Sequence, residues 1–168
     1  LMHEESSRYD LLIIGAGMAG MAAALFASGR GLRTALCGSV GGVDFSSGPL
    51  DLLAVHPVAE KRVWDDPWTA LEALVQDIPA HPYALVGQER IRLAMDEFCA
   101  GLEAMGLPYI GREHNVRMLT PAGTVKRTFR VPRSMWNGVL ALEQKAPTLL
   151  VGFKGLKTTD GGAHWESF

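Results

Sequence analysis

The chain has 168 residues, 48% of them hydrophobic, and a formal net charge of −2 at neutral pH. That length and apolar content suffice for one globular domain with a core of its own, and the slightly acidic balance excludes nucleic-acid binding through a broad basic surface. Two cysteines far apart in sequence, Cys37 and Cys99, encode neither a zinc nor an iron–sulfur site; they read as core thiols in a reduced, cytosolic setting.

Residues 1–8 read as a loose leader. An apolar run, Tyr9-Asp10-Leu11-Leu12-Ile13-Ile14, then stops at Gly15-Ala16-Gly17-Met18-Ala19-Gly20 and continues into an alanine-rich stretch. The run predicts a strand over 9–14, apolar enough to be buried on both faces of a parallel sheet. A helix follows from 18 to about 30, with Gly31 as its C-cap. A second strand over 33–37 completes a βαβ unit with a right-handed crossover. A G-x-G-x-x-G is weak by itself, but between a strand and a helix each glycine has a mechanical role. Gly15 permits the tight turn, Gly17 lets the backbone approach a phosphate, and Gly20 lets the helix pack close to the sheet. The helix N-terminus then faces the anion. Residues 15–20 are therefore the candidate phosphate-binding turn for a dinucleotide or flavin. Glu4, Glu5 and Asp10 flank this region and glycines break it, which argues against a signal peptide or a membrane span; no other segment is long and apolar enough to span.

In dinucleotide-binding folds the second strand usually ends in a carboxylate that holds the adenosine ribose. Here the sequence is Leu36-Cys37-Gly38-Ser39, and the nearest acid, Asp44, comes six residues late. That argues against ordinary NAD binding, weakens a standard FAD reading and suits FMN, which has no adenosine. Next comes Gly41-Gly42-Val43-Asp44-Phe45-Ser46-Ser47-Gly48-Pro49-Leu50-Asp51-Leu52-Leu53. Backbone N–H groups with Ser46 and Ser47 are suited to flavin carbonyls, and the same residues equally suit an ordinary Ser/Gly turn.

Asp66 and Pro67 open a helix whose Trp68, Leu71, Leu74, Val75 and Ile78 share a face, ending at Pro79-Ala80-His81-Pro82-Tyr83. His81, between prolines, reads as a surface loop residue. A further helix over 88–105 buries Ile91, Met95, Phe98, Leu102 and Met105 and stops at Gly106. Short strands are expected over 107–110 and 116–120, a turn at 121–123, and a returning strand over 124–129. Lys126, Arg127, Arg130 and Arg133 form a basic cluster, read as a solvated strand face, with a substrate phosphate as the alternative. Residues 148–153 read as a last apolar strand, and residues 158–168 as an atypical tail with neither period.

Taken in order, the opening glycine turn, the run Phe45 to Leu53, Pro79-Ala80-His81-Pro82-Tyr83-Ala84-Leu85, Thr120-Pro121-Ala122-Gly123-Thr124 and Leu149-Leu150-Val151-Gly152-Phe153-Lys154-Gly155-Leu156 resemble the B-subunit family of the anaerobic glycerol-3-phosphate dehydrogenases. The Phe-Ser-Ser-Gly…Leu-Asp-Leu-Leu run is the specific part, and the resemblance covers residues 9–157. It implies an α/β, Rossmann-like flavin-binding fold with inserted antiparallel strands, and FMN as cofactor with FAD as the alternative. It implies a complex that oxidises glycerol 3-phosphate to dihydroxyacetone phosphate. The FAD-carrying A subunit is the implied partner. The iron–sulfur C subunit anchors the assembly at the cytoplasmic side of the inner membrane and passes electrons toward quinone. By position, Gly15, Gly17 and Gly20 bind the flavin phosphate, and Ser46, Ser47 and Gly48 lie near the ring; the missing ribose acid agrees with the family's habit. Family members are considerably longer, so the chain reads as an N-terminal fragment, residues 9–157 carrying part of the flavin domain and the start of a cap, without activity alone. Two other readings stand beside it: an unrelated FAD-dependent oxidoreductase, and a non-catalytic relay protein. No catalytic base is assigned; His56, His81 and His114 are the histidines within the matched region.

Overall fold

The computed structural model describes residues 8–39, 48–120 and 124–147. Ser46 and Ser47, the 121–123 turn, the 148–153 strand and the 158–168 tail lie outside the described residues.

Strand β1 (Leu11–Ile14) pairs in parallel with β2 (Thr34–Cys37), Leu11 opposite Thr34 and Ile14 opposite Cys37. Helix α1 (Met18–Gly29) makes the crossover between them. Asp10 closes the start of the unit, its Oδ2 accepting from the Arg33 N–H at 2.9 Å. Side chains of β1 alternate between its faces. Ile13 turns to α1, whereas Leu12 and Ile14 are 60% and 83% exposed. The expectation of a strand buried on both faces is thus corrected: among the described residues α1 covers one face, and no second layer covers the other. Cys37, at the end of β2, is exposed and Cys99 is half-buried, so neither is the core thiol expected.

Helix α2 (Pro67–Asp77) begins as its sequence dictates. Asp66 Oδ1 accepts from the Trp68 N–H at 2.9 Å and Oδ2 from the Thr69 hydroxyl at 2.6 Å, with Pro67 in the first turn. Trp68, Leu71 and Leu74 are buried, but Val75 and Ile78 are exposed. Val75 follows Leu74 by about 100° around the helix and so leaves the stripe, and Ile78 is the C-cap, at φ −133°, outside the helical turn. A short helix, α3 (Pro82–Val86), stands where only a helix end was expected. His81 is its cap, Nδ1 accepting from the Tyr83 N–H at 3.1 Å.

Helix α4 (Gln88–Ala104) packs against α1 through an edge-to-face Phe26–Phe98 contact, 6.3 Å between centroids. A forked ion pair adds to it, with Arg30 Nη2 2.9 Å from Glu97 Oε2. Of its expected buried stripe only Phe98 is fully buried, and Met105 is 59% exposed. Ile91 and Met95 are half-buried against the core that holds Leu52, Trp68 and Phe129, whereas Phe98, Leu102 and Met105 line an open cavity.

Strands β3 (Tyr109–Leu119) and β4 (Val125–Pro132) form an antiparallel ribbon, with Tyr109 opposite Pro132 and Leu119 opposite Val125. The two short strands expected at 107–120 are one long strand, its register shifting between Gly111 and Val116; the polar Arg-Glu-His-Asn stretch between them obscures the continuity. After a 3₁₀ turn (Arg133–Met135), helix α5 (Trp136–Gln144), which no sequence expectation covered, packs its Val139 and Trp136 on Val116, Met118 and Val131. A second core holds Leu52, Trp68, Leu71, Leu74 and Phe129, with Trp68 edge-on to Phe129 at 5.4 Å. Among the described residues no helix is long and apolar enough to cross a membrane.

Candidate functional site

The glycine turn is built by backbone geometry. β1 hands over to α1 through Gly15, at φ +112°, whose N–H donates to the Cys37 carbonyl at 2.7 Å. A side chain there would be strained whatever the space. The helix passes so near that a Cβ on Gly20 would overlap the Gly15 carbonyl oxygen, at 1.8 Å. From the other side Gly38, just past β2, backs the turn: its Cβ would lie 2.9 Å from the Ala16 nitrogen, and its φ is +144°. Ala16 is correspondingly buried. Gly17 differs, because a Cβ there meets nothing within 4 Å. It is the N-cap of α1, no side chain caps that end, and no acidic residue stands in the first turn. Among the described residues, then, no side chain takes up the first N–H groups or the positive end of the helix dipole. Gly15 and Gly20 shape the turn, and Gly17 leaves room for a phosphate to approach.

Gly38 also accounts for the missing ribose acid. It stands where that carboxylate usually does, and packing against Ala16 leaves no room for a side chain there. The feature was legible as a glycine after an apolar strand, but its contact with the turn was not.

The second motif is held residue by residue across the β3–β4 ribbon. Gly48, at φ +88°, has its carbonyl taken by the Tyr109 hydroxyl at 2.7 Å. Leu50 adds a bridge to β4, its N–H donating to the Arg130 carbonyl at 2.8 Å and its carbonyl accepting from the Arg130 N–H at 3.0 Å. Asp51 pairs with Lys126 at 2.8 Å, Leu52 enters the core, and the Leu53 carbonyl accepts from Asn115 Nδ2 at 2.9 Å. Residues 48–53 are therefore a strap held across the β3–β4 ribbon. Burial pushes the Tyr109 hydroxyl pKa up, with Cys99 nearby adding to it, so the phenol stays protonated as the donor to Gly48. Neither Tyr109 nor Asn115 carried a sequence signal for this.

The two motifs meet. A cavity of about 520 Å³ has Met18 and Ala19 of the glycine turn on one wall and Pro49, Leu50, Asp51 and Leu52 of the strap on another. A neighbouring cavity of about 430 Å³ shares Met18 and is lined by α1 and α4 together with Tyr109, Pro132, Arg133 and Ser134. Both sizes are those of small-molecule and cofactor sites. Of the described candidate residues, Met18 and Ala19 line the larger cavity, and Gly48 sits one residue before its Pro49 wall. The cavity lies along the flank of α1, against Met18, Ala19, Ala22 and Phe26.

The histidines have other work. His56 is buried, with Nε2 2.8 Å from Asp77 Oδ2, and ties its loop to α2; His81 caps α3, and His114 is exposed on β3. Among the described residues no group of His, Cys, Asp and Glu is placed to hold a metal ion.

Comparison with known proteins points to a flavin-binding family. A family model described as FAD binding domain matches residues 10–161. Over 124 residues the chain is 36% identical to the B subunit of anaerobic glycerol-3-phosphate dehydrogenase from Aliivibrio fischeri, covering 72% of this chain and 27% of that one. The B subunit from Mannheimia succiniciproducens is 30% identical over 152 residues, 88% of this chain and 34% of that one. The B subunit from Haemophilus ducreyi is 29% identical over 151 residues, 89% of this chain and 34% of that one. The resemblance read from the residues is borne out, and the chain spans about a third of the length of these relatives. No solved structure matches it.

Proposed function

The chain belongs to the FAD-binding domain family, and from that premise we propose that it forms part of a flavin-dependent oxidoreductase, one subunit of a complex that acts on glycerol 3-phosphate. The observation that carries the reading is the convergence of the glycine turn and the 48–53 strap on one cavity. Both are segments on which the likeness to the B-subunit relatives rests. The α1 N-terminus would hold the flavin phosphate, with Gly17 giving it access, and Ser46, Ser47 and Gly48 are the residues assigned to the ring. When bound, a flavin would supply the hydride-accepting and electron-returning chemistry. This chain's apolar walls, Met18 among them, would lie along the bound cofactor.

The cofactor is FMN in this reading. Gly38 offers no carboxylate to an adenosine ribose, and its packing against Ala16 admits none. FAD is the second reading, favoured by the family's own description. The product is dihydroxyacetone phosphate. The partners are the FAD-carrying A subunit and the iron–sulfur C subunit, which hands electrons to quinone at the cytoplasmic side of the inner membrane. Anaerobic addition of glycerol 3-phosphate to the complete, flavin-loaded complex tests the activity. Bleaching of the visible band of the flavin held by this chain is the expected result. A flavin that dithionite reduces and glycerol 3-phosphate leaves untouched contradicts it.

A further inference from the structure

The four basic residues around β4 are not equivalent. Lys126 Nζ lies 2.8 Å from Asp51 and Arg127 Nε 2.8 Å from Asp65. Arg130 turns inward, Nη1 donating to the Arg112 and Phe129 carbonyls at 2.9 and 3.1 Å, with its guanidinium 3.8 Å from the Phe129 ring centroid. The Arg133 guanidinium alone of the four has no hydrogen bond or ion pair among the described residues. Its backbone is fixed nonetheless: the Arg133 N–H donates to the Pro108 carbonyl at 2.9 Å, at the start of the 3₁₀ turn.

Arg133 and Ser134 line the 430 Å³ cavity. The remaining lining is largely apolar, with Met21, Leu25, Phe98 and Met105 prominent, and it includes no carboxylate. Arg133 and Ser134 are exposed at the rim of this cavity, and a guanidinium with no anion beside it among the described residues keeps its donor fork free for an oxyanion. Ser134 adds a hydroxyl beside it. We propose that Arg133, with Ser134, is the anion-recognition part of this cavity and takes the phosphate group of a small phosphate monoester. The choice of a phosphorylated polyol as that monoester rests on the function proposed above; the anion site itself rests on the cavity and the free guanidinium.

The test uses the complete protein, with glycerol 3-phosphate and inorganic phosphate as probes. Arginine-selective dicarbonyl labelling, read by mass spectrometry on the peptide carrying Arg133, reports occupancy without turnover. Either probe should slow labelling at Arg133, and Arg133→Gln should weaken binding of both by about tenfold or more, as expected for loss of a charge-assisted contact. Flavin content and melting temperature should stay as in the wild type, and Arg133→Lys should recover part of the affinity. Equal affinity in Arg133→Gln, or labelling that neither probe slows, overturns the proposal. Protection of Arg133 in a protein that holds no flavin would leave the anion site standing and sink the flavin reading. A bound flavin without protection would do the reverse.

Discussion

The β1–α1–β2 unit and the β3–β4 ribbon with its strap reach the same cavity by different physics. In the first, almost everything that shapes the site is backbone: a left-handed Gly15, a helix brought onto its carbonyl at Gly20, and Gly38 packed behind. Its apolar residues are poorly covered, with Ile14 83% exposed. In the second, the site is placed by side chains that reach 50 residues and more along the chain. Tyr109 holds Gly48, Asn115 holds Leu53, and Phe129 stands edge-on to Trp68 above a buried core. A site divided this way separates binding from stability. Changes in the glycine unit should strike the ligand, whereas changes in the ribbon should strike the fold.

The sharpest break of that contrast is Gly20→Ala. Its Cβ would overlap the Gly15 oxygen, which is backbone and has nowhere to go. Flavin affinity should fall by about 100-fold, equivalent to about 3 kcal/mol, in a fluorescence titration. Gly29→Ala, in the same helix but with nothing within 4 Å of the new Cβ, should leave affinity unchanged and add about 0.5 kcal/mol of stability. Equal effects at both sites would mean that close packing of the turn is not what matters.

Phe129→Ala reverses the pattern. It empties a core position 2% exposed and should cost about 3–5 kcal/mol in urea unfolding, while the folded fraction still binds flavin. Tyr109→Phe lies between the two, since it removes one hydrogen bond from the strap. It should cost about 1 kcal/mol of stability and weaken flavin binding severalfold.

The smallest effect is that of Asp66→Ala at the start of α2, about 1 kcal/mol, with a pH signature. The Thr69 hydroxyl, followed by the Trp68 and Thr69 N–H groups and Arg92, holds the Asp66 carboxyl below its ordinary range, against burial. A lowered folded pKa means that the stabilisation is fully present above the unfolded carboxylate value. It is lost as pH falls from there through the folded one. The gap between wild type and variant should close in acid, and a gap that persists there would assign the loss to something other than the charge.

How much of this was legible follows the same division. The glycine turn, the Asp66 cap and the ends of α1 and α4 are written locally, in residues a few positions apart, and were readable. The Gly38 contact, the Tyr109 and Asn115 ties and an Arg133 guanidinium unpaired among the described residues depend on residues far apart in sequence, for which composition and period carry no signal. Helix α5 was missed because its Trp136 and Val139 follow directly on a basic strand and a 3₁₀ turn, without a capping residue at Met135. The stripe of α4 was overestimated because periodicity tells which face is apolar and not whether another element covers it. Ile14 shows the same: an apolar strand residue reads as buried until the layers around it are counted.

The central claim is that the glycine turn and the 48–53 strap build one flavin site. The most direct measurement is the visible absorption spectrum of the complete purified protein, followed by denaturation and mass identification of the released flavin. One FMN per chain is the expected result, and one FAD would keep the site while placing an adenosine over Gly38. A folded protein, purified from cells rich in flavin, that releases neither would contradict the claim.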